Sequence, residues 1–147
     1  MQVIYNIFDP TAAAALLLRA RERGVGVLAR CPFDEGALTG AITAASQFHP
    51  DDFRARYFAG ERAAAAHACA LRLLPLLGDE ATTLPELALR FCLSSDAVST
   101  VIAGMRRPEH VAANLACADG RRLSDRLLAR LADHAWDKNW YQAALPT

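Results

Sequence analysis

The sequence predicts an α/β fold built from parallel strand–helix–strand units. Three observations carry this. Residues 2–8, Gln-Val-Ile-Tyr-Asn-Ile-Phe, form a near-continuous apolar run rich in β-branched and aromatic side chains, as a strand covered on both faces requires. A strongly helical Ala/Leu/Arg stretch then separates that run from a second short apolar run by about fifteen residues, a spacing that fits a parallel crossover. A third apolar run, residues 98–103, again passes into a helix start, Pro108-Glu109.

Each element follows from its own signals. Asp9-Pro10-Thr11 ends the first strand and opens a helix over residues 12–23. Arg19, Arg21 and Arg23 suit the negative carboxyl end of that helix, and Gly24 closes it. Residues 25–29 are the second strand. Residues 30–60 read as a long irregular segment punctuated by Pro32, Gly36, Gly40, Pro50 and Gly60, a length more typical of a functional loop than of a connector. Helical patterning returns over 61–77. Thr82-Thr83, with Pro85 and Glu86 in the first turn, starts a helix over 84–93. After the third strand, a helix runs from Pro108 to about Cys117. Ser124 caps an amphipathic helix to about His134, and the aromatic tail Trp136-Asp-Lys-Asn-Trp140-Tyr141 follows.

Three parallel strands cannot close a sheet. A strand apolar on both faces at residue 2 is what a cut through a larger barrel would leave. Either the sheet is small and open, or the chain is the second part of a larger (β/α)8 barrel, which needs eight strands.

Composition excludes several roles. Hydrophobic residues make up 53% and charged ones 22% of 147 residues, enough for a packed core. Sixteen Lys and Arg against sixteen Asp and Glu leave no positive surplus for a general nucleic-acid or anionic-membrane binder. No apolar run reaches the roughly 20 residues of a membrane span, and no basic n-region marks a secretory signal. Cys31, Cys69, Cys92 and Cys117 are isolated, without metal-ligand spacing, and read as reduced thiols of a cytoplasmic protein. His49, His67 and His134 have no partner pattern and read as structural or exposed. Cys31, at a strand end before a proline, is a nucleophile candidate without a nearby histidine.

The end of the third strand carries chemistry of its own. Ligands of parallel sheets sit at the strands' carboxyl ends, where a following helix offers free N–H groups. Arg106 and Arg107 add permanent cations there, and His110 and Asn114, four apart, share a helix face. An anionic nucleotide phosphate fits this constellation; a solvated helix end with two exposed arginines fits it too. Arg30 ends the second strand, where a guanidinium needs an anion or an aromatic plane; a salt bridge to Asp34 or Glu35 is its alternative. Gly36 and Gly40 would let the loop backbone approach a pyrophosphate, or simply form turns.

Three stretches together resemble the aldo-keto reductase family: Gln2-Val-Ile-Tyr-Asn6; Gly26-Val-Leu-Ala-Arg-Cys-Pro-Phe-Asp-Glu-Gly-Ala-Leu-Thr-Gly40; and Ala88–Leu93 with Val98–Arg106 and Pro108–Asn114. They resemble the sixth, seventh and eighth barrel strands, in order, and cover only the C-terminal half of that barrel, so the resemblance implies an α/β partial (β/α)8 TIM barrel: about its last three βα units plus C-terminal helices, as one domain over 1–147. The resemblance implies NADP (as NADPH) as cofactor and a small carbonyl compound as substrate, with no nucleic acid or membrane partner. It gives Gln2 to the nicotinamide carboxamide, Arg30 to the nicotinamide or pyrophosphate, and Cys31, Pro32, Phe33, Gly36 and Leu38 to the cofactor loop. Gly104, Met105 and Arg106 go to the adenosine-phosphate loop, and His110 and Asn114 to the adenosine; His110 departs from the Gln or Arg more usual there. The family's catalytic Tyr, Lys, Asp and His have no match, so no catalytic residue is assigned. Lys138, the single lysine, reads as part of a polar tail, and Tyr5, Tyr57 and Tyr141 as lacking an Asp/Lys/His constellation. The chain alone is then an inactive cofactor-binding part of a reductase. The alternative is a non-catalytic half-barrel that self-associates through its sheet edges or pairs with a partner chain.

Overall fold

The computed structural model describes residues 1–141. Its sheet has three short parallel strands, β1 (Gln2–Ile4), β2 (Leu28–Arg30) and β3 (Thr100–Ile102), in the order β1-β2-β3. In the register Leu28 pairs with Gln2 on one side and Thr100 on the other, and Arg30 with Ile4 and Ile102. Around it lie α1 (Leu16–Glu22), α2 (Phe53–Tyr57), α3 (Arg62–Leu71), α4 (Leu84–Leu93), α5 (Pro108–Ala116) and α6 (Asp125–Ala132). This is the predicted α/β partial barrel, with strands shorter than the apolar runs.

The strands stop early for visible reasons. Tyr5 N–H makes one last bond to Arg30 O, and the chain then turns around buried Asn6. Asn6 Oδ1 accepts from Phe8 and Asp9 N–H, and its amide donates to Cys31 O at 2.9 Å. Residues 5–8 are therefore core, but not strand: Ile7 and Phe8 are each 1% exposed. The first helix also starts late, because residues 11–13 form a 3-10 turn before α1. Gly24, at φ +63°, ends it in the left-handed conformation that favours glycine. Helix α3 ends at Leu71, short of the expected residue 77. Pro75 lacks an amide hydrogen, and Leu74–Leu76 tightens to a 3-10 turn.

Capping decided the helices that sequence placed best. Thr83 Oγ1 accepts from Glu86 N–H at the start of α4, whose 84–93 span matches expectation. Ser124 Oγ accepts from Leu127 N–H at the start of α6, which buries Leu127 and Leu131. Replacing Ser124 by alanine should cost about 1 kcal/mol, read as a lowered urea midpoint with an unchanged slope.

The core lies between sheet and helices. Val27, Ala29, Leu38, Leu73, Leu87 and Leu131 are fully buried. The opposite sheet face stays open: Leu28 is 37% and Ile102 47% exposed. Helix α5 buries none of its residues, and Leu115 is 63% exposed. No helix among the described residues is long and apolar enough to cross a membrane.

Candidate functional site

A cleft of about 750 Å³ opens between the loop after β2 and helices α4 and α5. Phe33, Thr39 and Ala41 line it from the loop, Thr83, Glu86 and Arg90 from α4, and Gly104, His110, Asn114 and Cys117 from β3–α5. Four of the sequence-assigned residues thus meet here: Phe33, Gly104, His110 and Asn114. Asn114 Nδ2 donates to Gly104 O at 3.2 Å, tying helix to bend. A Cβ on Gly104 would meet nothing within 4 Å, so the bend offers open backbone.

The wall from α4 is polar but internally neutralised. Arg90, 1% exposed, donates Nε to Glu86 at 2.9 Å and both terminal nitrogens to Asp119 at 2.9 and 3.0 Å. Hydrogen bonds from Arg90 and Arg121 hold the Asp119 carboxyl well below the usual range. Arg90 therefore has no free charge for a ligand. Sequence reasoning missed it, although its i+4 spacing from Glu86 was a readable pair.

Arg106 and Arg107 follow Gly104 in the chain, are both exposed and are not among the residues that line the cleft. Arg107 stands 3.8 Å from Glu109, while Arg106 has no ion-pair partner within 4 Å among the described residues. Unlike α2, α4 and α6, helix α5 has no side chain capping its first turn. Arg106, whose charge adds to the Arg54 hydrogen bonds that hold the Asp52 carboxyl low, thus stands beside uncapped N–H groups, a combination that favours an anion. Met105 is exposed next to it.

The other assigned residues sit apart from this cleft. Gln2 is exposed, level with Leu28 and two residues further from the strands' carboxyl ends than Arg30. Leu38 is fully buried in the core and has no side-chain surface to offer. Gly36, at φ +106°, turns the loop where a Cβ would meet Ile42. Pro32 is buried and Cys31 half-buried. Burial pushes the Cys31 thiol up to about 11, which removes the thiolate a nucleophile needs. No group of three or more metal-ligating side chains occurs among the described residues.

Arg30 does not bridge to Asp34 or Glu35. Its guanidinium lies 5.9 Å from the Tyr141 ring centroid and reaches Cys31 Sγ at 3.5 Å. Lys138 is not a solvated tail residue. Its side chain is 5% exposed, with Nζ 2.9 Å from Asp34 Oδ1, and Tyr57 OH donates to that same oxygen at 3.3 Å. A Tyr/Asp/Lys constellation therefore exists, contrary to the sequence reading of Lys138 as part of a polar tail. It does not make Tyr57 an acid: burial first, then the Asp34 charge, pushes the phenol well above its ordinary value. Trp136 and Trp140 pack inward, Trp136 edge-on to Phe8 and Trp140 edge-on to Tyr57. His67 bonds Ile42 O at 3.1 Å, and His49 is exposed, as structural and surface histidines are.

Comparison with known proteins identifies the family. The aldo/keto reductase family profile matches residues 1–135. An L-glyceraldehyde 3-phosphate reductase of Escherichia coli K12 is 28% identical over 97% of this chain and 44% of its own length. An NADH-specific methylglyoxal reductase of the same organism is 30% identical over 79% of this chain and 36% of its own. Among solved structures, a glycerol dehydrogenase from Gluconobacter oxydans superposes with a TM-score of 0.78 at 24% identity, over 90% of this chain and 41% of that one. The apo aldo-keto reductase AKR11C1 from Bacillus halodurans gives 0.62 at 25% identity, over 91% and 42%. The chain spans less than half the length of these relatives. With a family match over most of its length, and a parallel sheet like theirs, the chain belongs to the aldo/keto reductase family.

Proposed function

We propose that this chain is the nucleotide-holding portion of an NADP-dependent aldo-keto reductase and binds the adenosine end of NADPH in the cleft between the β2 loop and α5. The observation that carries this reading is the pairing of Arg106, which has no ion-pair partner within 4 Å among the described residues, with the uncapped start of α5 close to Gly104 in the chain. A 2′-phosphate there would meet a guanidinium fork and backbone N–H groups. His110 and Asn114 would flank the adenosine, with Phe33 across the cleft. Arg30, at the carboxyl end of β2, would face the nicotinamide or the pyrophosphate, and Gln2, on the same sheet face, the carboxamide. The loop turn at Gly36 would follow the pyrophosphate.

Bound NADPH supplies the hydride that reduces a carbonyl. This chain's part is binding and orientation. Tyr57 and Tyr141 are both pushed above their ordinary values by burial and nearby groups, so neither supplies a proton near neutral pH. Turnover then requires residues beyond this chain. The four free cysteines, three of them buried, fit a reducing, cytoplasmic setting.

Calorimetric titration tests the reading. NADPH should bind saturably, about tenfold or more tighter than NADH, and weaken with added salt. No heat at millimolar NADPH, with the chain folded, would overturn it. The exposed Leu28 and Ile102 favour a second reading, in which the open sheet face takes a second copy or a partner chain. Sedimentation at high concentration decides: a dimer supports pairing of copies, and a monomer excludes it.

A further inference from the structure

The loop that lines the cleft with Phe33 and Thr39 uses Asp34 and Glu35 for something else. Both have left-handed backbones, at φ +49° and +57°, a conformation unfavourable for residues with a Cβ and tolerated best by Asp and Asn. Such a turn persists only where its surroundings hold it. What holds it is the C-terminal tail, 104 residues away in sequence. Lys138 Nζ meets Asp34 Oδ1 at 2.9 Å, and Tyr141 OH donates to Glu35 Oε1 at 3.0 Å. Cys31 Sγ donates to the same Glu35 oxygen at 3.2 Å.

The lysine is unusually enclosed. Its Nζ lies 5.5, 5.0 and 5.5 Å from the ring centroids of Phe8, Trp136 and Trp140. Trp136 N–H also bonds Phe8 O at 2.8 Å, which seats the start of the tail. A cation and a carboxylate this buried are each costly without the other. Among the described residues Asp34 Oδ2 has no hydrogen-bond partner, and Lys138 is the one cation in direct contact with that carboxylate. Removing the lysine leaves two strained residues and an unbalanced buried acid in the turn that shapes the cleft wall.

We infer that the Lys138–Asp34 pair is a latch joining the C-terminal tail to the 33–40 loop, so that seating of the tail sets the affinity of the cleft for nucleotide. Lys138 and Asp34 are positioning residues that act through Phe33 and Thr39 without lining the cleft themselves. The inference rests on the nucleotide reading for its ligand, but its structural half stands on the loop alone.

Three variants of this chain test it, with 2′,5′-ADP as the nucleotide probe. Lys138→Met removes the charge at similar length. Asp34→Asn removes the other charge and keeps a residue suited to φ +49°, so it carries the test should Lys138→Met fail to fold. Lys138→Arg restores the cation. Both neutral variants should raise amide hydrogen exchange across residues 33–40 about tenfold and weaken 2′,5′-ADP about tenfold, while Lys138→Arg recovers most of both. Trp136 and Trp140 are the only tryptophans, so emission reports tail release directly. Tail release with unchanged loop exchange and unchanged affinity overturns the latch, as does no change in any readout. A wild type that fails to bind 2′,5′-ADP, while loop exchange rises in the variants, overturns the nucleotide reading and supports the latch.

Discussion

Replacing Arg90 by methionine is expected to remove about 3 kcal/mol of folding stability, since breaking a buried ion pair from one side typically costs ~3–5 kcal/mol. The lower end applies because the carboxylates left behind, Glu86 and Asp119, are 20% and 34% exposed and can hydrate. Methionine keeps the length and most of the packing, so the loss reports the pairing. Relative to the ~5–15 kcal/mol of an ordinary domain this is a large fraction. The change also has a pH signature. Hydrogen bonding, chiefly from Arg90, holds Asp119 low; the Thr82 N–H and Arg90 hold Glu86 low. Groups depressed in the folded state stabilise it fully above their unfolded values, about pH 4, and lose that contribution as pH falls through the folded values. Urea midpoints at pH 7, 4 and 2.5 should therefore fall steeply in the wild type between the last two and less steeply in Arg90→Met. Parallel losses in both proteins would show that Arg90 is not the organising charge.

Replacing Arg106 by alanine is expected to weaken NADPH about thirtyfold and leave NADH almost unchanged. A charge-assisted hydrogen bond contributes ~1.5–3 kcal/mol, and only the 2′-phosphate meets this guanidinium in the proposed pose. Stability should not move, because Arg106 is exposed and has no ion-pair partner among the described residues. Calorimetry with both cofactors reads the ratio. Equal weakening of NADPH and NADH would place Arg106 on the shared part of the dinucleotide, and no weakening would remove it from the site.

What was legible in the sequence was local. Helix α4 matches its expected span because Thr83, Pro85 and Glu86 write its start, and the start of α5 matches because Pro108 opens it. The resemblance brought Phe33, Gly104, His110 and Asn114 to one cleft, although they come from two separate loop–helix segments. What was not legible was held by distant partners. The kinked segment Asp34–Thr39, broken by left-handed backbone at Glu35 and Gly36, and helix α2 lie in the stretch that reads as irregular, and the kink depends on Lys138 and Tyr141. Lys138 was misread because its immediate neighbours are polar. The signal it did carry was alternation: Trp136, Lys138 and Trp140 stand two apart and all turn inward. Residues 5–8 were read as strand from their apolarity, which marks burial but not a ladder. Asn6, the one polar residue in that run, is where the chain leaves the sheet.

The central claim is that the cleft between the β2 loop and α5 takes the adenosine end of NADP. The amide footprint of 2′,5′-ADP, read by two-dimensional NMR on the labelled chain, tests it most directly. Binding should shift the amides of Phe33, Gly104, Arg106, His110 and Asn114 together along one saturable curve. Shifts confined to other faces, or a spectrum unmoved at millimolar ligand, would contradict it.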